Sequence, residues 1–175
     1  MTAASEAARV AVEEDLERLA ELCRLARDEL APTRGGTLFW AREGRAEPFE
    51  TSLRADLGRA DCLLLAGTLD ESVVGYACAE VQTLRHGEAL CAVLDLFVEP
   101  AAREAGVGEV LIDAVRAFAA ERGCVGVDAT ALPGNRATKN FFEAHGFTAR
   151  LLVMHHRLRR DDGPVGPTDG DASPA

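Results

Sequence analysis

Leu94-Asp95-Leu96-Phe97-Val98-Glu99-Pro100, running on through Arg103-Glu104-Ala105-Gly106-Val107-Gly108-Glu109, is the stretch whose reading decides the fold. A β-type apolar run stops at a proline, a short polar loop with two glycines follows, and a long amphipathic helix begins. Val107, Leu111, Ala114, Val115 and Phe118 share one face of that helix, and Gly123 ends it. Val125-Gly126-Val127-Asp128-Ala129 then reads as a short strand, so the strand–helix–strand order implies a parallel, right-handed crossover. The loop leaves unpaired backbone N–H groups at a helix N-terminus, where the dipole is positive and glycines admit a close approach. Such a terminus suits phosphate.

Upstream, residues 1–8 are small and polar and read as a disordered N-terminus, followed by a single domain over 9–158. Arg9 to Val12 reads as a short strand. Glu13-Glu14-Asp15 opens a helix whose apolar face is Leu16, Leu19, Ala20, Cys23, Ala26 and Leu30, and Pro32 with Gly35-Gly36 closes it. Residues 37–60 are less regular, with a helix expected over 48–58. Cys62–Gly67 and Val73–Gln82 read as hairpin-paired strands around a turn at 68–72, with Gly75 marking a bulge or a close backbone approach. Leu90–Val98 is the third long strand. Downstream, Asn135–His145 is a short helix closed by Gly146, and Phe147–Leu158 is expected to give the final strands. Residues 159–175 hold Gly, Pro and Asp without apolar periodicity and read as a disordered tail.

A formal charge of −10 over 175 residues argues against nucleic-acid binding, which needs basic surface. No basic-then-apolar leader and no apolar run of bilayer-spanning length occurs, so the expected location is cytoplasmic, away from membranes. The five cysteines (23, 62, 78, 91 and 124) form no C-x-x-C pair and have apolar neighbours, which suits reduced core thiols; no metal site is expected.

Arg103-x-x-Gly106-x-Gly108, combined with Asn135-x-Ala137 and Asn140-Phe141-Phe142-Glu143-Ala144-His145-Gly146-Phe147 at this separation, resembles the GCN5-related N-acetyltransferase (GNAT) superfamily over about residues 8–158. The resemblance implies an α/β domain: a mixed, mostly antiparallel sheet flanked by about four helices, with two strands splayed to hold acetyl-CoA. It further implies that the backbone of Leu96, Phe97 and Val98 pairs with the pantetheine arm. The amides of Glu104, Ala105, Gly106, Val107, Gly108 and Glu109 would face the pyrophosphate, with Arg103 close enough to add charge, and Asn135 would complete the cofactor site. The acceptor would be a primary amine of a small molecule or peptide, and a homodimer through the last strands is the implied assembly.

Transfer needs a neutral nitrogen to attack the thioester carbonyl while a backbone N–H holds the oxyanion. Asp95 and Glu80 are the candidate bases, either of them acting directly or through water. The resemblance places a tyrosine acid where this chain has Phe142, whose ring has no proton to give. Tyr76, the one tyrosine, is a displaced alternative. Leu94 stands where some polyamine-type members carry an acid, and Glu104 and Ala105 replace residues that are often glycine or basic. A second class of function therefore stands beside the transferase: an acyl-CoA-binding sensor or interaction module with little or no activity. The P-loop lysine and the third glycine of a dinucleotide fingerprint are both missing, which disfavours nucleotide chemistry. Phe39, Trp40 and Phe49 suit a core, while the resemblance implies that the segment after the first helix forms one wall of the acceptor site, which keeps these residues and Glu43 as candidates there.

Overall fold

A computed structural model describes residues 5–158. In chain order the elements are β1 (Glu6–Val10), α1 (Leu16–Leu30), α2 (Gly36–Arg42), α3 (Phe49–Leu57), β2 (Cys62–Leu69), β3 (Ser72–Thr83), β4 (Ala89–Val98), α4 (Val107–Glu121), β5 (Cys124–Ala129) and α5 (Arg136–Ala144). Short 3₁₀ turns at Glu13–Asp15 and Pro100–Ala102 lead into α1 and towards α4. The five strands lie side by side in chain order, antiparallel from β1 to β4 and parallel between β4 and β5. One α/β domain with an open mixed sheet results, as the sequence suggests.

Two apolar layers enclose the sheet. On one face α1 buries Leu16, Leu19, Leu22 and Cys23 completely, and Phe49 and Leu53 of α3 join them against Leu64, Ala66, Tyr76 and Cys78. At roughly 2 kcal/mol per fully buried aliphatic side chain, this stripe alone fixes α1 on the sheet. On the other face Val107, Leu111, Ile112 and Val115 of α4 pack on Leu65, Ala77 and Ala79. α4 seats unusually close because Gly67 and Gly75 are cross-strand partners beneath its first turns. A Cβ on Gly67 would lie 2.8 Å from both Val107 and Leu111 side chains, and one on Gly75 would lie 2.9 Å from the Phe97 carbonyl. Gly75 is thus a close-approach glycine, while the nearby bulge falls between Gly67 and Thr68.

Several boundaries differ from the sequence reading. Residues 6–8 belong to β1 rather than to a frayed terminus. The β2–β3 turn shrinks to Asp70-Glu71, both in left-handed conformation (φ 47° and 68°), as a two-residue hairpin turn requires. The irregular stretch after α1 contains an extra helix, α2, and the expected helix over 48–58 is α3.

The final strands expected over Phe147–Leu158 do not form: residues 147–158 are without regular structure, and Leu151, Leu152, Val153, Met154 and Leu158 are largely exposed. Arg150 reaches Asp128 of β5, yet no ladder follows. Strand propensity reflects a pleated surface with a layer to pack on, and nothing among the described residues covers this run. Residues 1–4 and the expected tail at 159–175 lie outside the described residues.

Candidate active site

The site arises where β4 and β5 part. Their parallel pairing runs from Ala89 with Cys124 to Val93 with Ala129, whereas β4 continues to Val98 paired only with β3. Leu94 causes the departure. Cys78 pairs with Asp95 and Ala79 with Val93, so Leu94 is an extra residue on β4, a bulge that twists the strand away. Leu94 to Val98 therefore present an inner edge whose backbone groups on the β5 side have no strand partner among the described residues. A narrow cavity of about 80 Å³ opens there. Leu96 and Phe97 form one wall, Asn135, Thr138 and Phe142 the other, and Phe39 and Trp40 of α2 contribute from above.

At the end of β4 the chain turns into α4. Glu104 (φ 70°) and Gly106 (φ 83°) both adopt left-handed conformation, which swings the loop round the helix start. The amides of Val107, Gly108 and Glu109 lie in the first turn of α4 and have no acceptor within the helix. Gly106 is favoured by its φ; Gly108 sits tightly, since a Cβ there would lie 3.2 Å from the Phe141 ring and the ring would have to give way slightly. Arg103 turns away from this terminus. Its Nε donates to the Val98 carbonyl (2.9 Å), its Nη2 to Glu29 (2.6 Å), and its guanidinium stacks over Phe97.

Asn135 caps α5, its Oδ1 accepting from the Thr138 N–H at 3.1 Å. Phe142 is buried in the cavity wall with Phe141 and Phe147 against it. Beneath it lies Tyr76, 1 % exposed, whose hydroxyl accepts from the Cys23 thiol at 3.1 Å. Burial raises the Tyr76 phenol and pushes the Cys23 thiol up to about 12.

The two predicted carboxylates are separated. Asp95 lines the cavity and is held by Arg45 Nε and Nη2 at 2.8 and 2.5 Å. Arg45 also donates to Asp56 at 2.6 Å, so one buried guanidinium serves two carboxylates. Burial pushes the Asp95 carboxyl above its ordinary range, and Arg45 pulls it only part of the way back. Glu80 lies away from the cavity lining, accepting from Arg59 (3.0 Å) and Gln82 (2.8 Å). The resemblance keeps Phe39 and Trp40 beside the acceptor site, and both line the cavity; Arg45 and Asp56 carry no sequence signal. They sit in or beside the stretch without periodicity, and only the fold brings them under β4. The Trp40 indole N–H is buried without a hydrogen-bond partner among the described residues.

His145 Nδ1 lies 2.7 Å from the Phe141 carbonyl at the end of α5, and His86 pairs with Glu88 in an exposed turn. His155 and His156 are exposed in the segment after α5. No helix among the described residues is long and apolar enough to cross a membrane.

Known proteins share this architecture. A Trypanosoma brucei acetyltransferase superposes with a TM-score of 0.64 at 24 % identity, covering 88 % of this chain and 100 % of that one. AAC(6')-Iy in complex with the bisubstrate analog CoA-S-monomethyl-acetylneamine gives 0.66 at 21 % identity, covering 89 % and 99 %. A mutant protein from Bacillus halodurans gives 0.75 at 18 % identity, covering 87 % and 99 %. No curated protein sequence matches the chain. The sequence profile described as the acetyltransferase (GNAT) family matches residues 19–147, from the second turn of α1 to the end of the α5 cap, and the chain belongs to that family.

Proposed function

We propose that the protein transfers an acetyl group from acetyl-CoA to a primary amine of a small molecule or peptide, by direct attack in a ternary complex. The observation that carries this reading is the Leu94–Val98 edge of β4, which has no strand beside it among the described residues and ends at the open first turn of α4. An extended pantetheine arm can pair with the first, using Leu96, Phe97 and Val98. A pyrophosphate suits the second, facing the amides between Arg103 and Glu109. Arg103 then acts mainly by fixing the end of β4, and Asn135 by holding the opposite wall.

In the transfer the amine nitrogen attacks the thioester carbonyl, the C–N bond forms, and the C–S bond breaks to release the thiolate. Of the two candidate bases Asp95 has the better support. Both of its bonds to Arg45 end on Oδ2, which leaves Oδ1 to take the amine proton directly or through water. Glu80 keeps a role only through water, since its ion pair with Arg59 stands outside the cavity lining. Tyr76 is a poor acid in this setting, because burial raises its phenol and its hydroxyl is already engaged by Cys23 and Asp95.

One observation favours a second reading, an acyl-CoA-binding module with weak or no turnover: Phe142 offers no proton to a departing thiolate. Two measurements separate the outcomes. Acetyl-CoA, but not ATP or NAD, should raise the melting temperature; no shift would remove both readings. Thiol release against a panel of polyamines, aminoglycosides, amino acids and peptides then divides enzyme from sensor. For assembly, the exposed apolar run Leu151 to Met154 supports a homodimer in which a second copy covers it.

A further inference from the structure

β2 and β3 bring two thiols into contact away from the cavity. Cys62 pairs with Glu80 and Leu64 with Cys78, so the cysteines are diagonal neighbours on one face, with their sulfurs 3.5 Å apart. The bulge on β4 opposite Cys78 and Ala79 adds local twist, which draws such a diagonal together. Cys62 is half-buried and open to a small solute, whereas Cys78 is sealed in the core.

The Asp56 carboxylate completes a cluster whose three ligating atoms lie within 4.8 Å of one another. A thiophilic cation would favour two sulfurs and a carboxylate. Here, however, Asp56 already accepts from Arg45 at 2.6 Å and Arg59 at 3.3 Å. Two guanidinium charges repel a cation and favour a thiolate. The Cys78 thiol, together with Arg59, holds the Cys62 thiol below its ordinary range, while the contact with Cys62 and burial raise Cys78. One sulfur is therefore the exposed nucleophile and the other its sheltered partner.

We propose that Cys62 and Cys78 form a reversible cross-strand disulfide on exposure to a hydroperoxide. The Cys62 thiolate attacks the peroxide, the O–O bond breaks, and a sulfenic acid forms with loss of alkoxide or hydroxide, which takes up a proton. The Cys78 sulfur then attacks the sulfenic sulfur, the S–O bond breaks, and the departing hydroxide takes the Cys78 proton as water. Two thiols are oxidised and one peroxide is reduced. Forming the bond closes the sulfurs from 3.5 Å to about 2.05 Å. The bond would remove the Cys78 S–H that faces Asp56 at 3.6 Å, and so touch the Arg45 network from below.

The test is independent of any catalytic activity. Reduced full-length protein, freed of reductant under argon, is treated with a small excess of hydrogen peroxide. Titratable thiols should fall from the five of the sequence to three, and dithiothreitol should restore all five. The intact mass should fall by about 2 Da, the two hydrogens lost on disulfide formation. Peptide mapping should join Cys62 to Cys78. Cys62→Ser, at a half-buried position, should lose thiols at least tenfold more slowly, while Cys124→Ser should still lose two. A gain of oxygen at Cys62 without a link, or a link through Cys23, Cys91 or Cys124, would overturn the proposal. So would a zinc ion retained by the reduced protein through gel filtration that blocks the oxidation.

Discussion

Both hydrogen bonds from Arg45 to Asp95 end on the same carboxylate oxygen, Oδ2, while the third nitrogen of the guanidinium reaches Asp56. One buried cation thus holds a strand of the site and the helix α3 together, and it leaves one oxygen of Asp95 outside the clamp. Removing the cation leaves two carboxylates facing each other in the core. Arg45→Met should cost about 3–5 kcal/mol, the usual penalty for stranding buried charge, read as a lower urea midpoint at neutral pH. Asp95→Asn keeps the size of the side chain and the Asp56 bond. It should slow transfer by about 10²-fold or more with a smaller loss of stability. Equal losses of stability and rate in the two variants would make Asp95 a positioning residue.

Phe142→Tyr tests the missing acid. A hydroxyl at this wall should raise turnover by about 10²-fold if the thiolate leaves unassisted in the native protein. The same hydroxyl, packed beside Phe141 and Phe147, should cost about 1–3 kcal/mol where it finds no partner. Steady-state kinetics beside thermal melting distinguishes the two effects.

Gly67→Ala should destabilise by about 1–3 kcal/mol, because the new methyl must displace Val107 and Leu111 at the base of α4. The helix start would then move off the end of β4. Affinity for acetyl-CoA should weaken more than affinity for the amine, as separate titrations would reveal.

Asp15 makes stability depend on acid. Hydrogen bonds from Arg9 lead the causes that hold its carboxyl below the ordinary range, with the Val12 N–H assisting. A depressed carboxyl contributes stability that is full above its unfolded value of about 4 and is lost as pH falls through the lower folded value. Wild-type protein should therefore lose more stability than Asp15→Asn between about pH 5 and about pH 2, measured by urea unfolding.

Replacing Leu152 and Met154 by aspartate should leave the fold intact, since both side chains are largely exposed in one chain. It should convert a dimer to monomers in sedimentation velocity. Wild-type protein that is monomeric at high concentration would remove the assembly reading.

Much of this was legible in the residues. The periodicity of Leu16 to Leu30 and of Val107 to Phe118 gave two helices directly, because each has one continuous apolar stripe. Gly146, read as the stop of α5, does adopt the left-handed conformation that such a stop uses. The segment after α5 misled for a physical reason: an apolar run with strand character needs a neighbour, and a sequence does not state whether one is present. Gly108, read as leaving room for a ligand, lies close against Phe141 of α5. The Arg45–Asp95 clamp was invisible because its members lie fifty residues apart and only tertiary structure joins them.

The bulge at Leu94 has a bearing on solubility. A half-strand with unpaired amides and carbonyls is, on an ordinary sheet, the place where a neighbouring molecule adds itself and aggregation begins. By bending β4 inward, this extra residue turns that hazard towards a cleft too slender for a second sheet. The proposed extended ligand would occupy that edge in place of a foreign strand. Safety in the crowded cell and readiness for the ligand come from the same one-residue insertion.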